Sequence, residues 1–190
     1  MRRIVACLFF LLSSHIAVLA NTRQDSLLKE LYYNIAKAGE YDAAKLRGID
    51  STRRRLASVG NNLPLRFDLY RRLYEEYKVF NFDSAFYYAR QLEQVAATMQ
   101  DPVRLTYART RQGYVLLSSG MFTETSSLLN NIDVTGMPDS IRTQFYLMKS
   151  RFYYDLADYS QDKFYSPTYI RQGSMFMDSA LHLLDTASFE

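Results

Sequence analysis

YARTRQGYVLLSSGMFTETSSLL, Tyr107 to Leu129, reads as two helices joined by a tight turn at Gly120. Gly113 stands in the middle of the first helix, and Phe122 opens the second, two residues beyond the turn. A glycine inside a helix carries no Cβ, so a neighbouring helix can approach closely. The aromatic ring after the turn can plug the gap between the two helices. The stretch predicts a helical hairpin shaped to stack on others like it.

The flanking chain follows the same plan. Pro64, Pro102, Pro138 and Pro167 are all of the prolines, and each stands just before a run with helical apolar spacing. Proline at the first helical position loses no needed N–H and has φ already set. Asp101 and Ser166 directly precede two of them as N-cap candidates. Leu65, Leu69, Leu73 and Tyr77 share one helical face, with Phe82, Ala85, Phe86, Ala89, Leu92 and Ala96 on the partner. Tyr107, Thr110, Tyr114 and Leu117 pair with Phe122, Thr125, Leu129 and Ile132. Ile141, Phe145, Met148, Phe152 and Leu156 pair with Tyr169, Gly173, Phe176, Ala180 and Leu183. No stretch sustains period-two alternation with β-branched enrichment, so strands are not expected. The fold class is all-α, an array of three to four antiparallel helical hairpins.

Upstream, Asp25 and Ser26 offer an N-cap for a helix to about Ala38. Gly39 to Ala44 reads as a turn into a second helix reaching about Val59. One unbroken helix through Gly39 is the alternative, since a single glycine costs only about 1 kcal/mol. Gly60-Asn61-Asn62 is a clear break. Residues 21–62 are thus an N-terminal helical segment or degenerate hairpin, and 63–190 carry the hairpins.

Residues 1–20 are a separate matter. Arg2 and Arg3 form a positive n-region, Ile4 to Leu12 an apolar run, and Val18-Leu19-Ala20 a small-residue cleavage site near Ala20. That is the pattern of a secretory signal peptide. Lipidation at Cys7 is the alternative, but only three apolar residues precede it. Cleavage lowers the formal charge from +3 to +1 and removes Cys7 and His15, leaving His182 as the one histidine. A disulfide framework, a thiol nucleophile, a Cys/His zinc site and a Ser-His-Asp triad all then lack parts. No catalytic residue, metal or cofactor is expected, and no second apolar run is long enough to span a membrane.

Aligning the turns exposes a repeat. Gly39-x-Tyr41-x-x-Ala44, Phe80-x-Phe82-x-x-Ala85 and Gly120-x-Phe122-x-x-Thr125 superimpose, with Met175-x-Met177-x-x-Ala180 as a fourth copy. The greater distance to that last copy is assigned to Ala157–Ser166, ADYSQDKFYS, as an inserted loop. The set resembles tetratricopeptide repeats, with Gly113, Gly120 and Phe122 matching the pattern and Thr125 in the place of Ala. The steps between copies are longer than that family's repeat.

Asp25-Ser26-Leu27-Leu28, Leu73-Tyr74-Glu75-Glu76-Tyr77-Lys78, Phe82-Asp83-Ser84-Ala85-Phe86-Tyr87-Tyr88-Ala89 and Ser118-Ser119-Gly120-Met121-Phe122 resemble the exported half of Bacteroidetes tetratricopeptide regulators. Arg151-Phe152-Tyr153-Tyr154-Asp155-Leu156-Ala157-Asp158-Tyr159 fits as well. The resemblance implies a periplasmic sensor module followed by a membrane helix, a coiled coil and a cytoplasmic domain. The sequence stops just after a hairpin helix, so a C-terminal continuation or a covering partner, including a second copy, is expected.

By alignment with Gly113, Tyr70, Tyr74, Tyr77 and Lys78 occupy groove-facing positions of the tetratricopeptide pattern, as do Tyr107, Tyr114 and Ser118. Tyrosine offers large contact area at low entropy cost plus a hydroxyl, the chemistry of recognition surfaces. The competing reading packs these rings between hairpins. Arg47 with Arg53-Arg54-Arg55 reads as a solvated helix face rather than a nucleic-acid site, given the near-neutral exported chain. Arg71/Glu75 and Arg72/Glu76 are expected as surface pairs worth about 0.3 kcal/mol each. The aromatic stretch Tyr159–Tyr169 is read either as part of a binding face or as a plug on the last hairpin. The sum is a non-catalytic periplasmic module, the sensing part of an envelope regulator, that binds a peptide, a partner protein or a glycan-derived ligand on a tyrosine-rich concave surface. A structural scaffold or oligomerisation domain is the alternative.

Overall fold

A computed structural model describes residues 23–184, so the signal-peptide reading and the last six residues lie outside it. The described residues form eight helices: α1 (residues 23–36), α2 (Ala38–Ser58), α3 (Leu63–Tyr77), α4 (Phe82–Thr98), α5 (Pro102–Ser118), α6 (Phe122–Asn130), α7 (Asp139–Ser160) and α8 (Ser166–Leu183). No strand occurs among the described residues. The chain divides into two compact units, Met1–Asp50 and Ser51–Glu190.

In the first unit α1 and α2 are separate helices. The break is the single turn residue Lys37, two positions before Gly39. Its carbonyl accepts from the N–H groups of Glu40 at 2.9 Å and Tyr41 at 3.2 Å, which starts the second helix. Gly39 therefore lies inside the first turn of α2 and makes no turn of its own.

The second unit is built of three hairpins, α3–α4, α5–α6 and α7–α8. Helix α4 packs on both α3 and α5, and α7 packs on α5, α6 and α8, so each hairpin is also seated on the next. Local chemistry sets the helix starts. The side chains of Asn62, Asn81 and Asp101 accept from the backbone N–H groups of Leu65, Ser84 and Arg104, at 3.1, 2.9 and 2.9 Å. Pro64, Pro102 and Pro167 occupy first-turn positions, and Pro138 is the N-cap of α7. Phe82 and Phe122 are the first residues of α4 and α6, and Ala85 and Thr125, three residues on, are fully buried.

Between the second and third hairpins the core is Leu117, Leu129, Ile132, Phe145, Met148 and Phe152. Gly113 permits that packing, because a Cβ there would stand 3.0 Å from Leu129 Cδ2 and 3.9 Å from Met148 Cε. Gly120 adopts φ +74°, the left-handed conformation its turn requires.

The third hairpin departs from the sequence expectation. Ala157–Ser160 is the last turn of a 22-residue α7, and the connection is residues 161–165. There is no ten-residue inserted loop; the extra length went into the helix. Met175 accordingly lies inside α8 and is not a turn copy. Ser166 is the first helical residue rather than the cap. Its hydroxyl donates to the Ala157 carbonyl at 3.2 Å, while Asp162 Oδ1 takes the N–H groups of Phe164 and Tyr165 at 2.8 and 2.7 Å. On α3, Arg71 pairs with Asp68 at 3.6 Å and Glu75 with Lys78 at 2.5 Å, in place of the expected Arg71/Glu75 pair.

Candidate binding site

The seven candidate residues fall into different places. Tyr74 and Tyr77 are buried, and they are corrected here from surface to core. Tyr74 is closed off between α3 and α5, with its hydroxyl 3.4 Å from the Arg111 carbonyl oxygen. Tyr77 stacks on Tyr88 of α4 at 5.7 Å, with Phe80 at 5.3 Å and the Arg53 guanidinium 5.7 Å from its centroid. Tyr70, half-buried, turns the same way, 6.1 Å from Tyr88. Helix α3 packs on α4 while some of its side chains reach α5, so neighbouring positions send a ring to one helix or the other. Arg53 also donates to the Tyr88 hydroxyl at 3.3 Å, which engages that one member of the basic run with α4.

Tyr107 and Tyr114 remain half-buried on α5, where side chains from α3 and α7 reach them. Both rings carry cations. The Arg111 guanidinium lies 4.7 Å from the Tyr107 centroid, and Tyr107 meets Phe67 of α3 at 6.1 Å. Arg151 of α7 lies 4.6 Å over Tyr114, and Lys78 of α3 lies 5.8 Å from the same ring. Each such contact is worth about 0.5–1 kcal/mol where partly exposed, so together they orient the cationic groups. Arg111 Nη2 donates to Gln144 Oε1 at 2.8 Å, and Arg151 donates to Ser118 Oγ at 3.2 Å and to Asp155 at 3.3 Å.

Tyr114 opens onto a cavity of about 190 Å³ between α5 and α7, together with Thr110, Arg111, Gln144, Leu147 and Arg151. Lys78 and Ser118 line a different cavity, of about 240 Å³, at the α3–α4 and α5–α6 turns. The candidates therefore do not converge on one site.

A third cavity, about 570 Å³, lies among α4, α5 and α6 and includes Glu93, Arg109, Ser127 and Asn131. It lies against α6, which has only nine residues. Burial favours a raised Glu93 carboxyl, but hydrogen bonds from Gln112 and Arg109 and the Arg109 charge hold it below its ordinary value. Those bonds are 2.7 and 2.9 Å long.

Arg111, Gln144, Leu147 and Arg151 were not among the sequence candidates. One signal pointed to two of them. Arg151 follows Arg111 by 40 residues, the step between two of the aligned turns, and Arg111 sits one turn from both Tyr107 and Tyr114. Among the described residues no group of acidic, His or Cys side chains is arranged to hold a metal ion. No described helix is long and apolar enough to cross a membrane.

Residues 35–190 match the model of the family described as the SusR N-terminal TPR domain. No curated protein and no solved structure matches the chain. The match takes in all of α3–α8, the packed hairpins and the tyrosine–cation surface alike. The chain belongs to the SusR N-terminal TPR domain family.

Proposed function

We propose that this chain is a non-catalytic protein- or peptide-binding module, exported by residues 1–20 and serving as the sensing part of an envelope regulator. Binding takes place on the surface shared by α3, α5 and α7. The observation that carries the reading is the open cavity beside Tyr114, where polar, cationic and apolar side chains from two successive hairpins meet. Such a junction offers a partner an apolar anchor beside fixed hydrogen-bond donors. Of the seven sequence candidates, Tyr107, Tyr114, Lys78 and Ser118 remain in the proposed binding surface, and Tyr70, Tyr74 and Tyr77 hold its framework.

A photo-crosslinking residue at Leu147, which is exposed, tests this in the exporting cell. It is expected to capture a discrete partner that the same residue at Gln94 on α4 does not capture. Equal capture at both positions, or none at Leu147, refutes the reading. The burial of Tyr74 and Tyr77 supports a second reading, a scaffold whose aromatic residues only hold hairpins together. Exposed Ile170 and Leu181, on one face of α8, give that scaffold a surface for a second copy. A dimeric mass by light scattering, lost in Ile170→Glu, would favour it.

A further inference from the structure

We infer that the α5–α7 cavity seats an acidic side chain of a peptide segment, its carboxylate held by the Arg111 guanidinium. The inference rests on the binding reading above and names the chemistry of its ligand.

Arg111 differs from several nearby cations, and it shares with Arg66 a buried Nε that has no acceptor. Arg104, Arg109, Arg142 and Arg151 each have a carboxylate within 4 Å, and so does Lys78. Among the described residues no carboxylate stands at that distance from Arg111. Glu75, whose charge it feels, is already engaged by Lys78. Its Nε is shut away from solvent and has no hydrogen-bond acceptor. A half-buried guanidinium whose partners are the neutral Gln144 amide and the hydroxyl and ring of Tyr107 has no anionic acceptor, and a carboxylate is the acceptor that matches its planar fork.

The surroundings narrow the ligand further. The ring of Tyr107 is taken by Arg111, and that of Tyr114 by Arg151 and Lys78. These rings are engaged by cations and do not present bare platforms for stacking a neutral sugar. The cavity, at about 190 Å³ and open to solvent, has room for one side chain of the partner. Leu147 and Met148 add apolar walls, so the acid's neighbours in the partner are apolar.

The probes are acetyl-Leu-Glu-Leu-amide and its Gln twin, titrated into the chain lacking residues 1–20 while arginine side-chain and backbone ¹⁵N signals are followed. The Glu peptide is expected to move the Arg111 Nε–H signal saturably and to bind about tenfold more tightly than the Gln twin. Arg111→Gln should erase that preference. Arg151→Gln, a more exposed change, should reduce it in a chain that still melts cooperatively, within about 4 °C of wild type. Equal binding of both twins near Tyr114 and Leu147 overturns the carboxylate inference and leaves the binding surface standing. Binding of neither twin overturns both.

Discussion

Replacement of Tyr74 separates its role in packing from its expected role in recognition. The side chain is fully buried between α3 and α5. Tyr74→Ala deletes an entire buried aromatic ring, a change that costs about 3–5 kcal/mol. Tyr74→Phe keeps the ring and loses only the hydroxyl contact to the Arg111 carbonyl. At 3.4 Å that contact is long for an O–H donor, so its loss costs about 0.5 kcal/mol. At about 2–4 °C per kcal/mol for a chain of this size, the alanine variant should melt roughly 6–20 °C below wild type, and the phenylalanine variant within about 2 °C of it. Urea denaturation followed by circular dichroism measures the same gap.

The pH dependence supplies an independent check on Tyr74. Burial pushes its phenol well above the ordinary value of 10.0, against the opposing pull of the Arg111 charge. Above pH 10.0 the unfolded chain releases this proton while the folded chain retains it. Stability contributed by the neutral phenol is therefore complete below that pH and falls as pH rises, by up to about 1.4 kcal/mol per unit. Tyr74→Phe should remove that slope. A Tyr74→Ala chain within about 1 kcal/mol of wild type, or an unchanged alkaline slope in Tyr74→Phe, refutes the assignment of Tyr74 to the core.

Three further outcomes are expected. Gly173→Ala places a Cβ 3.0–3.1 Å from three ring atoms of Tyr154. Overpacking of about 1–3 kcal/mol should outweigh the helix-propensity gain of about 1. Gly39→Ala meets nothing within 4 Å and should keep the gain, so thermal melting should move the two variants in opposite directions. Asp101→Ala should cost about 1 kcal/mol in denaturant titration, because the α5 N-cap is lost, whereas Asp101→Asn should recover most of it. Glu93 sits below its ordinary value of 4.5 when folded, so its contribution is present above that pH and is lost as pH falls through the folded value. An acid titration of Glu93→Gln should show a shallower decline than wild type.

Local signals in the chain determined most of the array. Prolines and cap residues marked the helix starts, Gly120 the turn that needs positive φ, and Gly113 the place where α6 comes close. These features act within a few residues of their own position, so they read directly from the string. The third hairpin was harder, because the chain lengthened α7 to Ser160 and turned only afterwards, which shifted every later match in register. Tertiary structure alone decided the fate of the tyrosines. Tyr70 and Tyr77 face α4, Tyr74 faces α5, and Tyr107 and Tyr114 stay half-open toward the cations of α5 and α7. Helical spacing says which residues share a face. It does not say how many neighbouring helices cover that face, since that depends on crossing geometry between segments far apart in the chain. The same geometry left Arg111 without a carboxylate beside an open cavity, a property that belongs to α5 and α7 together and to neither alone.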